Sequence, residues 1–193
     1  MRLFSLAFSA RQSGNCSKML QYCLSQPPLK SMEQDPCNTF SLTISPCQRC
    51  NYECFLENGI CPLNSSDDVA LLYHKWSQSD LALFAIPVYG GNLAAQYLAF
   101  YERGQAFFKD GQSYHDLLRK THFLIIGNLI AGGDMALHQA LYPFANLGFW
   151  PETLILSSYE YGRKSISGDL IESAEVRSRL EAWIGRIAAR IAL

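Results

Sequence analysis

Two unbroken apolar runs of strand length, Leu81–Ile86 and Phe123–Ile126, constrain this chain more than any other feature. A strand with one wet face alternates apolar and polar residues. A run with no polar break needs cover on both faces, which points to a parallel sheet with helices above and below. The intervening segments supply those helices. Met19, Leu20, Cys23 and Leu24 recur at helical spacing and are closed off by Pro27-Pro28, and Val69, Leu72, Tyr73 and Trp76 follow the cap Ser66-Asp67-Asp68. Further helices are expected over 93–103, 113–120 and 134–147. A last one carries Val176, Leu180, Trp183, Ile184, Ile187 and Ile191 along one stripe. Besides the two runs, strands are expected at 2–9, 38–44 and 153–156.

Five strands alternating with helices predict a three-layer α/β sandwich with right-handed crossovers, and five strands suit the flavodoxin-like order 2-1-3-4-5. No repeat or linker interrupts the 193 residues, so a single domain over 1–193 is expected, with a cysteine-rich insertion at about 45–64 after the second strand. Apolar residues make up 49% and charged ones 17%, a balance that excludes a disordered chain and allows a well-buried core. The net charge of -1 offers no electrostatic footprint for nucleic acid or a membrane surface. No apolar run nears the roughly 20 residues of a membrane span. Arg2–Ala10 reads as a buried first strand rather than an export signal, being short, broken by Ser5 and followed at once by Arg11; a cytoplasmic protein is expected.

In a sheet of this order, ligands sit beyond the carboxyl ends of the strands, at the switch point between the first and third. Three loops converge there. Ser9, Arg11, Ser13, Gly14, Asn15 and Cys16 lead from the first strand into a helix, where free N–H groups and the positive helix end suit one terminal phosphate. Pro87, Val88, Tyr89, Gly90, Gly91 and Asn92 follow the third strand and place two glycines beside an aromatic, letting backbone approach a flat ring. Ala131, Gly132 and Gly133 repeat the idea after the fourth. Neither G-x-G-x-x-G after the first strand nor a P-loop motif is present, so a mononucleotide fits better than a dinucleotide or triphosphate site. His74, His115, His122 and His138 are dispersed and are expected to pack or face solvent. No nucleophile triad pattern occurs.

Four of the seven cysteines, Cys47, Cys50, Cys54 and Cys61, fall in one segment with the spacing C-x2-C-x3-C-x6-C. An odd total without an export signal argues for a metal or redox site over a disulfide framework. Four thiolates from a compact loop suit a 4Fe-4S cluster. Structural zinc and no metal at all stay open beside it.

Together these stretches resemble a family. Ser9–Cys16 is similar to the "SPRxxGNT" phosphate loop of NADPH-dependent FMN reductases, within the flavodoxin-like superfamily. Ile86–Asn92 resembles their "SPVYxGxxS" flavin loop, with Leu98, Phe100 and Arg103 beyond it, and Ala131-Gly132-Gly133 their third flavin loop. The cysteine run before Asp67-Asp68 resembles the insertion of iron–sulfur flavoproteins in this group, with one extra residue between the second and third cysteines. The likeness covers nearly the whole chain, and the two flavin loops are its most specific parts. Ala10 stands where the family has proline, and Cys16 where it has a phosphate-binding hydroxyl. The resemblance implies non-covalent FMN, its phosphate on Ser9, Arg11, Ser13, Asn15 and Cys16, its ring edge near Tyr89, Gly90, Gly132 and Gly133, and a homodimer or homotetramer. An FMN-dependent oxidoreductase follows, with NAD(P)H or a ferredoxin as electron donor and an acceptor not specified. A flavodoxin-like electron carrier without its own substrate, or a zinc-stabilised protein with a degenerate flavin site, are the alternatives. Since flavin carries the hydride chemistry, no catalytic acid or base is assigned.

Overall fold

The computed structural model describes residues 1–47, 50–51, 53–56, 60–107, 111–128 and 130–191. Strands β1 (Arg2–Ala7), β2 (Glu33–Asn38), β3 (Leu81–Tyr89), β5 (Thr121–Gly127) and β6 (Thr153–Ser157) lie parallel in the order β2-β1-β3-β5-β6, and β4 (Asn92–Leu93) pairs antiparallel with the end of β3. Counting the parallel strands alone, this is the expected 2-1-3-4-5 arrangement. Leu81–Ile86 and all of β5 are buried because both strands lie inside the sheet.

The pleat divides the core in two. Leu3 and Ala7 of β1 point to the layer built by α1 (Asn15–Ser25) and α7 (Ala174–Ile191). Phe4, Leu6 and Phe8 point to the opposite layer, which holds α3 (Val69–Gln78), α4 (Ala95–Glu102), α5 (Gly111–Arg119) and α6 (Ile130–Leu141). Phe84 is the hub of that second layer, meeting Phe4, Phe8, Trp76, Phe100 and Phe123 edge-on at 5.1–6.1 Å between ring centroids. Such edge-to-face pairs add to the burial of the rings themselves. The stripe on α7 packs as expected, with Trp183 fully buried and Ile191 partly so. Among the described residues no helix is long and apolar enough to cross a membrane.

The second strand is displaced from its expected place. It occupies 33–38, in register with β1 through Ser5 and Pro36, not 38–44. Its residues, Glu-Gln-Asp-Pro-Cys-Asn, carry no apolar alternation. An edge strand does not need it, and an edge also tolerates a proline that cannot donate to a neighbour. Leu42 and Ile44 of 38–44 serve the core instead, whereas Phe40 stays exposed. After a single 3-10 turn at Thr39–Ser41, Leu42 and Ile44 pack against its second layer. The helix expected at 134–147 begins earlier and ends earlier, at 130 and 141, with a 3-10 turn at Tyr142–Phe144.

Candidate functional site

The loop after β1 ends on a bare helix start. Gly14 is the N-cap of α1 in extended conformation, with no side-chain cap, and the first turn holds no acidic residue. The leading N–H groups of α1 therefore lack the side-chain acceptor that usually satisfies them. A Cβ on Gly14 would lie 3.3 Å from Ser9 Oγ and 3.4 Å from Arg11 Nε, so a larger residue there would push both side chains back from the helix end. Ser9 is buried, and its Oγ accepts from the Arg11 N–H at 3.2 Å. Cys16 is 2% exposed, and burial pushes its thiol up to about 12 although nearby Arg11 pulls the other way. At neutral pH it is a neutral thiol, a weak donor that does not repel an anion. Next to it, Ser17 Oγ accepts from Asn38 Nδ2 at 2.6 Å, leaving its own proton to donate.

A strap from the far end of the chain seals one side of this loop. Arg11 donates to the carbonyls of Ile166 (2.6 Å) and Ser165 (2.9 Å), Asn15 Nδ2 to Ser165 O (3.3 Å) and Lys18 Nζ to Gly168 O (2.8 Å). In return Asn15 Oδ1 accepts from Leu170 N–H at 3.2 Å. Gly168 lies at φ +65°, and a Cβ there would be 3.3 Å from Ser13 O. Lys18, Ser165 and Gly168 carry no motif that would mark them. Only the pair Gly162 and Gly168, both at positive φ, hinted in the sequence at a tightly turned segment.

The second group of site residues is a hairpin rather than a loop. Pro87, Val88 and Tyr89 finish β3, and Gly90 (φ +57°) and Gly91 (φ +82°) make the two-residue turn into Asn92 and Leu93. Positive φ at both central positions is the turn that matches strand twist, and it explains the double glycine. Gln139 of α6 clamps the ribbon, accepting from Leu93 N–H (2.9 Å) and donating to Asn92 Oδ1 (3.0 Å). Tyr89 stays half exposed; its hydroxyl is raised by burial and then by Cys16, and lowered by Arg11. Because β1 and β3 are adjacent parallel strands, the β1–α1 loop and the hairpin leave the same end of the sheet side by side.

Gly132 and Gly133 lie in the first turn of α6, not in a preceding loop. Glycine's low helix propensity made a loop the natural expectation.

Cys47 is exposed, Cys50 and Cys54 half-buried, and Cys61 buried. Burial raises the thiols of Cys47 and Cys54, and after burial the neighbouring cysteines raise them further, so the four share one electrostatic neighbourhood. Among the described residues no three His, Cys, Asp or Glu side chains are arranged to hold a metal ion. The segment includes a single helical turn, α2 (Glu53–Leu56), and Tyr52 of the extra spacing lies outside the described residues. Its base is a buried ion pair: Arg103 Nη1 to Asp67 Oδ2 at 2.5 Å, with Arg103 also donating to Ser45 O and Asn64 Oδ1. Arg103, part of the flavin-loop resemblance, therefore anchors the cysteine segment.

A family model described as NADPH-dependent FMN reductase matches residues 1–157. The chain belongs to that family. The matched part of this FMN reductase family member contains the β1–α1 loop, the glycine hairpin, the start of α6 and the cysteine segment, whereas the strap and α7 lie beyond it. An "Iron-sulfur flavoprotein" of Methanosarcina thermophila is 27% identical over 103 residues, 53% of this chain and 52% of that protein, so the match spans about half the length of this curated relative. Solved structures of the same fold include RosB with a bound 8-demethyl-8-formylriboflavin-5'-phosphate intermediate (TM-score 0.63, 14% identity, covering 100% of this chain and 80% of that one). A "flavone reductase" matches at TM-score 0.65 with 12% identity, over 100% and 63% of the two chains. FerB of Paracoccus denitrificans, a flavoenzyme NAD(P)H:(acceptor) oxidoreductase, matches at 0.54 with 13% identity over 97% of each. At such identities these structures establish the shared fold.

Proposed function

We propose that this protein holds FMN non-covalently across the β1–α1 loop and the glycine hairpin, and passes electrons from NAD(P)H to an acceptor. The observation that carries the reading is the uncapped start of α1 beside Ser9 and Arg11, with the hairpin leaving the same end of the sheet from the adjacent strand β3. These residues fit the group. A phosphate ester would complete the unsatisfied N–H groups of α1, with Ser9, Arg11, Ser13, Asn15, Cys16 and Ser17 around it. Pro87, Val88, Tyr89, Gly90, Gly91 and Asn92 on one side, and Gly132 and Gly133 on the other, would border the ring. When bound, FMN supplies the hydride-accepting and electron-releasing chemistry. The chain's own contribution is to bind and orient it, with Gln139 keeping the hairpin in place. Membership of a reductase family supports the oxidoreductase reading. A cytoplasmic location completes the proposal, with assembly as a homodimer or homotetramer that would cover the exposed Tyr89 and Met135.

The finer part of the proposal concerns Cys47, Cys50, Cys54 and Cys61. Four cysteines from one compact segment can bind a metal centre as thiolates. The side chains as described form no ready site, so the segment would close around a 4Fe-4S cluster as it binds, with a ferredoxin-type donor then able to serve. No step of the flavin chemistry is routed through that cluster. Anaerobic purification with iron, sulfide, zinc and flavin analysis tests both cofactors. Stoichiometric zinc without iron removes the cluster, and a folded protein that fails to quench FMN fluorescence removes the main reading. Reduction of bound FMN by a protein donor alone, never by NAD(P)H, would make it a carrier.

A further inference from the structure

A cavity of about 410 Å³ opens where β5 and β6 end, walled by Asn128 and by Tyr159, Arg163, Lys164, Ser165 and Ile166, which follow the stretch matched by the family model. The proposed flavin residues leave it unused. Its chemistry is an aromatic ring beside two cations. Tyr159 is 75% exposed, while its N–H is fastened to Asn128 O at 3.1 Å. The floor is tied together: Ser158 Oγ bonds Asn128 Oδ1 at 3.0 Å and Ser165 Oγ at 2.7 Å. Arg163 is already committed to Asp169 (3.2 Å) and Glu172 (3.3 Å). Lys164 is exposed and makes no ion pair or side-chain hydrogen bond among the described residues. The cavity also shares a wall with the phosphate loop, since Arg11 holds the carbonyls of Ser165 and Ile166.

An exposed ring next to an uncommitted ammonium suits a purine base carrying a phosphate, the ring lying against the base and the cation taking the charge. We propose that this cavity receives the 2′-phosphoadenosine end of the reducing dinucleotide, with Tyr159 against the base and Lys164 selecting NADPH over NADH. The assignment rests on the reductase reading above, which names the dinucleotide but not the residues that choose between its two forms.

Calorimetric titration of the protein with 2′,5′-ADP and with 5′-AMP, with and without FMN, tests the assignment without turnover. The expected result is roughly ten- to a hundred-fold tighter binding of 2′,5′-ADP, the worth of one hydrogen bond to a charged group. Lys164→Glu abolishes that preference, Lys164→Arg keeps it, and Tyr159→Ala weakens both ligands alike. In steady-state turnover Lys164→Glu lowers the NADPH:NADH ratio of kcat/KM by about tenfold or more. Equal affinity for the two nucleotides, or a Lys164→Glu variant that weakens both equally, overturns the assignment. Preference for 2′,5′-ADP with no reduction of FMN by either dinucleotide would leave the phosphoadenosine site standing and sink the reductase reading instead.

Discussion

Replacing Asp67 with asparagine should unfasten the cysteine segment and cost much of the protein's stability. Asp67 and Arg103 side chains are 0% and 1% exposed, so bulk solvent does not screen them. Asp67 Oδ2 accepts from Arg103 Nη1 at 2.5 Å and from Ser45 N–H at 3.2 Å, and Oδ1 accepts from Val69 N–H at 3.2 Å. Asparagine has the same shape, but it is neutral and its amide must turn two donors toward donors. The guanidinium is then left without a counter-charge, and its Nε has no partner among the described residues. Removing one member of a buried pair costs roughly 3–5 kcal/mol, a large part of the ~5–15 kcal/mol that holds a folded protein together. At about 2–4 °C per kcal/mol for a chain of this size, Tm falls by roughly 6–20 °C. Because Arg103 also grips Ser45 and Asn64 on either side of the segment, limited proteolysis should begin between 45 and 64. Asp67→Leu with Arg103→Met removes both charges and should recover most of the loss. Urea and thermal unfolding decide the matter. A single-variant loss below about 1 kcal/mol, or a double variant no better than the single, refutes the stranded-charge argument.

Three further outcomes are expected. Cys16→Ser exchanges a weak donor for a hydroxyl at the proposed phosphate, so FMN should bind roughly tenfold tighter by fluorescence quenching. Without FMN the same variant melts lower, since the buried hydroxyl then lacks a partner; a weakened FMN affinity would remove Cys16 from the phosphate. Gly91→Ala meets nothing closer than Met135 Sδ at 3.9 Å, so its cost of about 1–2 kcal/mol comes from the positive φ alone and should equal that of Gly91→Ser. His122 is buried neutral, with its Nδ1 accepting from Glu152 N–H at 3.0 Å, and burial followed by Arg190 holds its pKa down to about 4. The unfolded chain binds that proton near pH 6.5, so stability rises with pH across 4–6.5. The contribution present above 6.5 is lost as pH falls toward 4, on the order of 3 kcal/mol, and His122→Asn should flatten that window in urea titrations.

The layered sheet was legible because its signals are local. Leu81–Ile86 and Phe123–Ile126 could be buried on both faces only inside a parallel sheet, and the α7 stripe needs a core to meet. The turn into α1 and the double-glycine turn after β3 were legible for a related reason: a helix start without a capping side chain and a turn at positive φ restrict which residues can stand there. Where these backbone demands were weak, position slipped. Strand β2 carries no apolar pattern because an edge strand is defined by its neighbour β1. Gly132 and Gly133 lie in a helix that their own propensity opposes.

What the tertiary structure alone decided is how distant residues spend their hydrogen bonds. Nothing local in Arg11, Asn15 or Lys18 points to carbonyls some 150 positions away, nor in Arg103 to Asp67 and the roots of the cysteine segment. Such pairings arise when the wound sheet carries chain ends to one rim. A buried cation must then take whichever acceptor arrives there, because leaving it unpaired in a low-dielectric interior costs more than any local preference can offset.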